Sequence, residues 1–549
     1  MRSFFVLSGI AAIALLTVPS QAATNSTINS QVRLAYAGNT GMYVSWNTFT
    51  KLNNPTVKYG LTPNSMNQSA SSDVSITYPT SLTYNNHVKI TGLKPDTTYY
   101  YSPIGLLEDN TTSVPYNFRT SRPAGDGTPY SVAVVVDMGT MGAQGLTTSA
   151  GKGVASTNVL APNETNTIQS LTSVINSYEF LWHPGDIAYA DYWLKEEIQG
   201  FLPNTTIADS FNVYESILND FYDEMTTITT TKPYMVGPGN HESNCDNGGT
   251  TDSAHNITYN VSICIPGQTN FTGYINHFRM PSNESGGTGN FWYSFDHGMA
   301  HYIQLDTETD LGHGYIGNDE IGGSEGDASG PFSSVMNAQT NWLEEDLKAV
   351  NRSETPWVIV AGHRPWYLSH ANASGTICWT CKDVFEPLLI QYGVDLVLSG
   401  HSHVYQRNAP LANGVIDGNE LNNPSSPWYI TNGAAGHYDG LDALQVPYQK
   451  YQRYGLDTTN ATYGWSKLTF QNCTHLTHDF VASKNGVVMD TATLYKNRTC
   501  AVGESLGDSA VSNSTSSGGP SSVPTSGAVR NVGTVVAAFA AVFAAVFMI

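Results

Sequence analysis

At 549 residues, with 40% hydrophobic side chains, the chain is long enough for more than one domain with a sizeable core. Its 24 Lys+Arg against 45 Asp+Glu give a net charge of -21 with no compensating basic stripe, which argues against nucleic acid and anionic membrane surfaces as partners. An acidic surface also repels phosphate esters, so any phosphate chemistry requires a local positive centre, first of all a metal ion.

The N-terminus, "MRSFFVLSGIAAIALLTVPSQAA", carries an early Arg2, an apolar run and small residues at Ser20 and Ala22. That pattern is a secretory signal peptide over residues 1–22, a buried first helix being the weaker alternative. The stretches "QVRLAYA", "GMYVSWN", "TVKYG", "HVKITGL", "TTYYYSP" and "YNFRT" follow as short strands without helical period. They predict an all-β sandwich over 23–122. "GLKPDTTYYYS" places Tyr99 in the pattern of a fibronectin-III-like tyrosine corner, and a spacing module is the expected role. "TSRPAGDGTP" (120–129) reads as a linker.

From Tyr130 the texture changes to continuous β-branched runs, "SVAVVV", "PWVIVA" and "VDLVLS", which suit strands buried on both faces. Helical stretches, "DSFNVYESILNDFYDEM" and "NAQTNWLEEDLKAV", lie between them, and "GWSKLTFQNC" and "GVVMDTATLY" read as further strands. Residues 128–502 are therefore expected to form one α/β layered domain, with ligand sites just beyond the strand carboxyl ends. Six cysteines in a secreted chain imply three disulfides, and neighbouring pairing (Cys245–Cys264, Cys378–Cys381, Cys473–Cys500) is the expectation among the 15 connectivities. "CWTC" resembles a redox pair but lacks a thioredoxin-like βαβ context, which favours a structural bridge. About fifteen N-x-S/T sequons, from Asn25 to Asn513, fit an extracellular glycoprotein. Residues 503–549 comprise a Ser/Gly-rich stalk and an apolar run to the last residue with no basic stop. That is a GPI-attachment signal, with attachment between Asn513 and Ser522, a tail-anchored helix being the alternative.

Five strands end in metal-binding side chains. "SVAVVVDMG" delivers Asp137, and "YEFLWHPGDIAY" delivers Asp186 and Tyr189. "YMVGPGNHE" delivers Asn240, His241 and Glu242; "WVIVAGHRPW" delivers His363; "VDLVLSGHSH" delivers His401 and His403. Singly each reads more readily as a turn cap or a structural histidine. Five in succession, each at the mouth of a buried strand, point to a metal centre.

The ordered set "DMG", "GDIAY", "GNHE", "VAGH", "GHSH" resembles the purple acid phosphatase branch of the metallophosphoesterases. "FWYSFDHGMAHYIQLDTETD" and "YGWSKLTFQNCTHLTHDFVAS" resemble its fungal members in particular. The resemblance implies an α/β layered metallophosphoesterase sandwich (βαβαβ, mixed sheets) preceded by the fibronectin-III-like domain. It implies one metal on Asp137, Asp186, Tyr189 and His403, and a second on Asp186, Asn240, His363 and His401, bridged by Asp186. Fe(III) is implied at the tyrosine site, since phenolate and carboxylates suit a hard trivalent ion, with Fe, Zn or Mn as the second, divalent metal. Asn240 and His241 are implied as substrate-binding groups. His241 is also the catalytic candidate for protonating the leaving oxygen, and Glu242 is the expected holder of its tautomer. Plant relatives carry an adjacent histidine pair after the V-x-x-H histidine; here "HRPWYLSHANASG" offers only His370 as a substrate contact. His301, Asp306, Arg407 and His437 are read as supporting or structural.

The activity implied is acid phosphatase: hydrolysis of small phosphate monoesters by a hydroxide held at the metal pair. The alternatives are a phosphodiesterase or nucleotide pyrophosphatase on the same site, and a wall glycoprotein without activity. Phytate, nucleotides, phosphoproteins and sugar phosphates all stay open as substrates. The expected location is the cell surface or wall, with membrane contact through a GPI lipid only and homodimerisation left open.

Overall fold

The computed structural model describes residues 29–104, 115–140, 164–193, 209–242, 251–252, 257–258, 265–309, 338–369, 377–436, 441–442, 444, 446–457 and 459–500. The signal peptide, His370, His437, Cys245–Cys264 and the 503–549 tail lie outside the described residues.

Two four-stranded antiparallel sheets come first. One runs Ser30–Tyr36, Met42–Thr48, Tyr84–Ile90, Ser75–Ile76, and the other Gln68–Ser71, Thr56–Gly60, Thr98–Ile104, Tyr116–Arg119. The expected corner is present: the Lys94 N–H donates to the Tyr99 hydroxyl at 3.0 Å. Thr98–Ile104 alternates between buried and open positions, as a sandwich strand with one wet face does. Met42–Thr48 is buried at every position and Ser30–Tyr36 at all but Ser30. The cause is the chain that follows the sandwich, which packs against these strands.

Helix Ser210–Thr229 and the segments beside it make this cover. Thr229 Oγ1 donates to the Val32 carbonyl at 2.8 Å and Tyr101 donates to the Thr230 carbonyl at 2.8 Å. Buried Arg33 is held by the His277 and Gln31 carbonyls and by Asn47 and Asn85, with no carboxylate among these partners. A lost hydrogen bond to a buried guanidinium costs about 1.5–3 kcal/mol. The sandwich is therefore joined to the rest of the chain through buried hydrogen bonds, as a structural module.

The remainder builds two mixed sheets, as expected. The six-stranded sheet runs Tyr234–Gly237, Leu181–Pro184, Tyr130–Val134, Gly464–Asn472, His475–Ala482, Val488–Tyr495. The seven-stranded sheet runs Tyr293–His297, Ala300–Gln304, Trp357–Ala361, Leu396–Ser399, Trp428–Asn432, Tyr405–Asn408, Gln452–Gly455. Within them Tyr130–Val134, Leu181–Pro184 and Tyr234–Gly237 are parallel, as are Ala300–Gln304, Trp357–Ala361, Leu396–Ser399 and Trp428–Asn432. The β-branched runs of the sequence are these parallel strands. The sheets meet through aromatic side chains: Phe180 packs edge-on against Tyr302 at 5.2 Å, and Trp182 Nε1 donates to Gln304 Oε1 at 2.8 Å.

Two of the three expected disulfides fall on described residues, and both pair neighbours: Cys378–Cys381 and Cys473–Cys500. Cys378 caps helix Trp379–Gln391, its Sγ accepting from the Cys381 N–H at 3.0 Å, and both sulfurs are buried. That supports the structural reading of "CWTC". Among the described residues no helix is long and apolar enough to cross a membrane.

Candidate metal centre

Five parallel strands stop two or three residues short of a potential ligand: Val134 before Asp137, Pro184 before Asp186, Gly237 before Asn240, Ala361 before His363 and Ser399 before His401. Because these strands run the same way, their carboxyl ends gather the five side chains at one place. Asp137, Asp186, Tyr189 and His401 all adopt the left-handed region, with φ of 62°, 52°, 54° and 67°. Each such non-glycine residue costs on the order of 1 kcal/mol, a strain that concentrates at functional sites.

Glycines make the close approach possible. A Cβ on Gly239 would stand 2.3 Å from Asp186 Oδ1, and one on Gly400 would stand 2.3 Å from Asp137 Oδ2. Glu242 fixes the loop around them. Its carboxylate accepts from the N–H groups of Asp186 (2.9 Å), Ile187 (2.8 Å) and Gly239 (2.7 Å).

All seven ligands expected from sequence converge. Tyr189 OH lies 3.1 Å from Asp137 Oδ1, 3.1 Å from Asp186 Oδ2 and 2.9 Å from His403 Nε2. His363 Nε2 lies 3.0 Å from Asp186 Oδ2, 3.0 Å from Asn240 Oδ1 and 3.2 Å from His401 Nδ1. Asn240 Oδ1 is also 3.0 Å from His401 Nδ1. The ligand atoms of Asp186, His363 and His401 all lie within 4.8 Å of one another. Asp137, Asp186 and His363 are buried, whereas His401 and His403 are partly open, which sets the side of approach.

The electrostatics ask for cations. Burial first, and then Asp186, push the Asp137 carboxyl well up. Burial opposes ionisation of Asp186 too, but His363 and His241 hold that carboxyl well below its usual range. Burial, Asp137 and Asp186 raise the Tyr189 phenol, and burial with Asp186 raises Glu242 to about 8. Oxygen and imidazole donors crowded in a dry site, with phenol and carboxylates discouraged from sharing it as anions, fit a metal pair of high charge.

His241 is the catalytic candidate, and its surroundings correct one expectation. Its Nδ1 lies 2.6 Å from Asp191 Oδ2, while Glu242 is occupied with the backbone of the Asp186 loop. Asp191, fully buried, is thus the tautomer holder, and Nε2 turns toward Asp186, 3.9 Å from its Oδ2. The rings of Tyr189 and Tyr192 flank the imidazole at 4.2 and 4.8 Å. Sequence reasoning missed Asp191, although it stands two places beyond Tyr189 in the same stretch. Arg364, directly after His363, was also missed; its Nη1 lies 3.3 Å from His401 Nε2. His301, Asp306 and Arg407 have partners outside the cluster: His301 lies between Asp296 and Asp346, Asp306 caps the backbone at Glu308 and Thr309, and Arg407 pairs with Asp490.

Three family descriptions match along the chain. "Purple acid Phosphatase, N-terminal domain" covers residues 29–120, "Calcineurin-like phosphoesterase" 160–405, and "Iron/zinc purple acid phosphatase-like protein C" 426–491. Acid phosphatase A of Cryphonectria parasitica is 38% identical over 90% of this chain and 96% of its own length. The chain belongs to the purple acid phosphatase family.

As a member of this family it is a phosphatase acting on phosphate monoesters, and the family implies a dinuclear metal centre. An acid phosphatase of Aspergillus ficuum is 33% identical over 85% of this chain and 86% of its own length. Among solved structures, a purple acid phosphatase from yellow lupin (Lupinus luteus) seeds superimposes with a TM-score of 0.61 at 20% identity, covering 85% of this chain and 75% of the lupin chain. That likeness extends the purple acid phosphatase fold to both the sandwich and the paired mixed sheets.

Proposed function

We propose that the protein hydrolyses small phosphate monoesters in acid at a dinuclear centre. One ion is held by Asp137, Asp186, Tyr189 and His403, the other by Asp186, Asn240, His363 and His401. A single atom carries this reading. Asp186 Oδ2 is 3.1 Å from the Tyr189 hydroxyl and 3.0 Å from His363 Nε2, so one carboxylate oxygen belongs to both donor groups.

Phenolate and two carboxylates on the first site favour a hard ferric ion, while His, His and Asn on the second accept a divalent Fe, Zn or Mn. When bound, such a pair cancels the charge of a phosphate group and lowers the pKa of water, which is the chemistry that hydrolysis in acid needs. The chain's own groups do the rest. Asn240 and His241 face the phosphate from the GNHE turn, and His241 Nε2 is the atom that hands a proton to the leaving oxygen. Asp191 keeps that atom aimed by accepting the Nδ1–H. Glu242, through three backbone N–H groups, keeps Asp186 at the shared position.

The protein's catalytic portion is residues 128–502, and its place is outside the cell. The two disulfides fit an oxidising compartment, and the 1–22 leader, the sequons and the 503–549 tail support secretion, glycosylation and a GPI lipid. Metal analysis with a visible spectrum of the purified protein tests the centre. Two metals per chain, one of them iron, and an absorption band from phenolate to iron are expected; a colourless protein with two zinc ions sinks the ferric assignment. Turnover of monoester against diester substrates tests the reaction class.

A further inference from the structure

Arg364 is buried at 2% exposure, and its guanidinium lies against His401, which is partly open at the edge of the metal cluster. Its Nε is held by both oxygens of Glu308, at 3.0 and 2.9 Å. Its own backbone N–H donates to Thr307 Oγ1 at 3.0 Å, and that hydroxyl donates to Glu308 Oε1 at 2.9 Å. The bonds close a ring, Arg364 N to Thr307 to Glu308 and back to Arg364 Nε, which fixes the plane of the guanidinium. Gly362 lets the two segments come this close, since a Cβ there would meet Thr307 Cγ2 at 2.9 Å.

The Nη1 end then lies 3.3 Å from His401 Nε2, on the side of that imidazole away from the cluster, because His401 Nδ1 is the atom facing Asn240 and His363. His401 and His403 form the partly open edge, so an ester enters past them. His241 stands against Tyr189 on the other flank, with 4.2 Å between the rings. A phosphate spanning the cluster would be flanked by His241 on the tyrosine side and Arg364 on the His401 side.

We propose that Arg364 is a phosphate-binding residue of this site, presenting its Nη edge to an oxygen of the bound phosphate, with Glu308 as its positioning residue. The anion it takes is a phosphate monoester or inorganic phosphate. Guanidinium suits this task, since its fork offers several donors in one fixed plane. Pairing with Glu308 keeps the local charge near neutral, so the group contributes directed hydrogen bonds without adding net repulsion toward a neighbouring cation. A purely structural Arg–Glu pair stitching residues 307–308 to 363–364 would move stability and leave phosphate affinity alone.

The inference rests on the metal centre proposed above, and the test separates the two. Metal-loaded full-length protein, Arg364→Gln, Arg364→Lys and Glu308→Gln are compared by metal analysis and by calorimetric binding of inorganic phosphate. With two metals retained, Arg364→Gln is expected to weaken phosphate binding about 10-fold or more, since charge-assisted bonds of this kind are worth roughly a factor of ten each. Arg364→Lys and Glu308→Gln should fall between it and the unaltered protein, and KM should rise in parallel. Arg364→Lys keeps the charge and serves where the glutamine variant fails to fold. Phosphate affinity within twofold of the unaltered protein in variants holding two metals overturns the role of Arg364 alone. A loss of affinity that merely tracks lost metal overturns it as well. Unaltered protein that takes up no metal pair overturns the centre itself.

Discussion

Asp191 Oδ2 lies 2.6 Å from His241 Nδ1, both side chains being buried beside the Asp186 carboxylate. The pair fixes which nitrogen of His241 faces the substrate, and burial raises the Asp191 carboxyl although His241 opposes the rise. Asp191→Asn keeps the shape but removes the negative charge that accepts the Nδ1–H, and with it the support for an imidazole protonated on both nitrogens, the form in which Nε2 can donate. We expect kcat for monoesters with poor leaving groups to fall about 10²-fold, the range of a positioned proton donor. Activated aryl esters, whose leaving oxygen needs no proton, should lose less. An equal loss on both classes would show that Asp191 acts on the fold or the metals instead.

Gly239 is closely packed against the proposed bridge, Asp186. Its Cα hydrogen faces Asp186 Oδ1, and a methyl group there would come within 2.3 Å of that oxygen and 2.4 Å of the Asp186 nitrogen. The nitrogen is held by Glu242 at 2.9 Å and the oxygen by the His241 N–H at 2.9 Å, so neither yields without moving those groups. Gly239→Ala should therefore displace the shared carboxylate, lower the metal content below two per chain, and cost at least about 10²-fold in activity, as small misplacements at a reacting centre do. Metal analysis of the purified variant is the check: full metal with full activity would refute the bridging position of Asp186.

Glu215 joins the sandwich to the catalytic portion, accepting from Tyr78 OH at 2.7 Å and Thr80 Oγ1 at 2.8 Å. Burial raises its carboxyl to about 7, even though both hydroxyls pull it down. The unfolded chain releases this proton near the ordinary glutamate value, the folded chain only near 7. The native state therefore binds more protons between those values, and stability falls as pH rises through that window. A shift of this size corresponds to about 3 kcal/mol as an upper figure. Glu215→Gln should flatten the drop in Tm between pH 5 and pH 8; an unchanged slope would assign the effect elsewhere.

His301 pushes stability in the same direction. Burial lowers its pKa, but Asp296 at 2.7 Å and Asp346 at 2.9 Å outweigh burial and raise it to about 9. Its contribution is full below the unfolded value near 6.5 and is lost as pH rises through about 9. His301→Gln should cost about 2–3 kcal/mol in urea unfolding at pH 5 and much less at pH 10. A penalty independent of pH would mean that packing, not charge, is what His301 supplies.

Much of this was legible in the chain. Three of the parallel strands, Tyr130–Val134, Trp357–Ala361 and Leu396–Ser399, showed as β-branched runs because both of their faces are buried, and the strand ends carried the candidate ligand residues in order. The tyrosine corner at Tyr99 was visible because it is local. What stayed hidden depends on how distant strand ends are brought together. Asp191 and His241 lie fifty residues apart in chain order, and only the parallel register of Leu181–Pro184 with Tyr234–Gly237 brings them into contact. Glu242 adjoins His241 and looked like its partner, yet the turn sends its carboxylate back to the Asp186 loop. The full burial of Met42–Thr48 was hidden for the same reason, since its cover comes from residues beyond 209.

Tyr189 remains the residue on which the identity of the metals turns. Its hydroxyl touches Asp137, Asp186 and His403, the donors of the proposed first site. Burial and the two carboxylates hold its proton on, so ionisation has to be driven by a strongly charged cation among the same donors. A ferric ion does this best, and the resulting phenolate should colour the protein. Tyr189→Phe removes the donor while keeping the ring that flanks His241. The visible band should vanish, iron should fall more than the divalent metal, and thermal stability of the metal-free protein should change little, since the phenol sits in a crowded acidic site. A variant that keeps both iron and colour would place the phenolate ligand on another of the chain's 31 tyrosines and break the assignment of the first site.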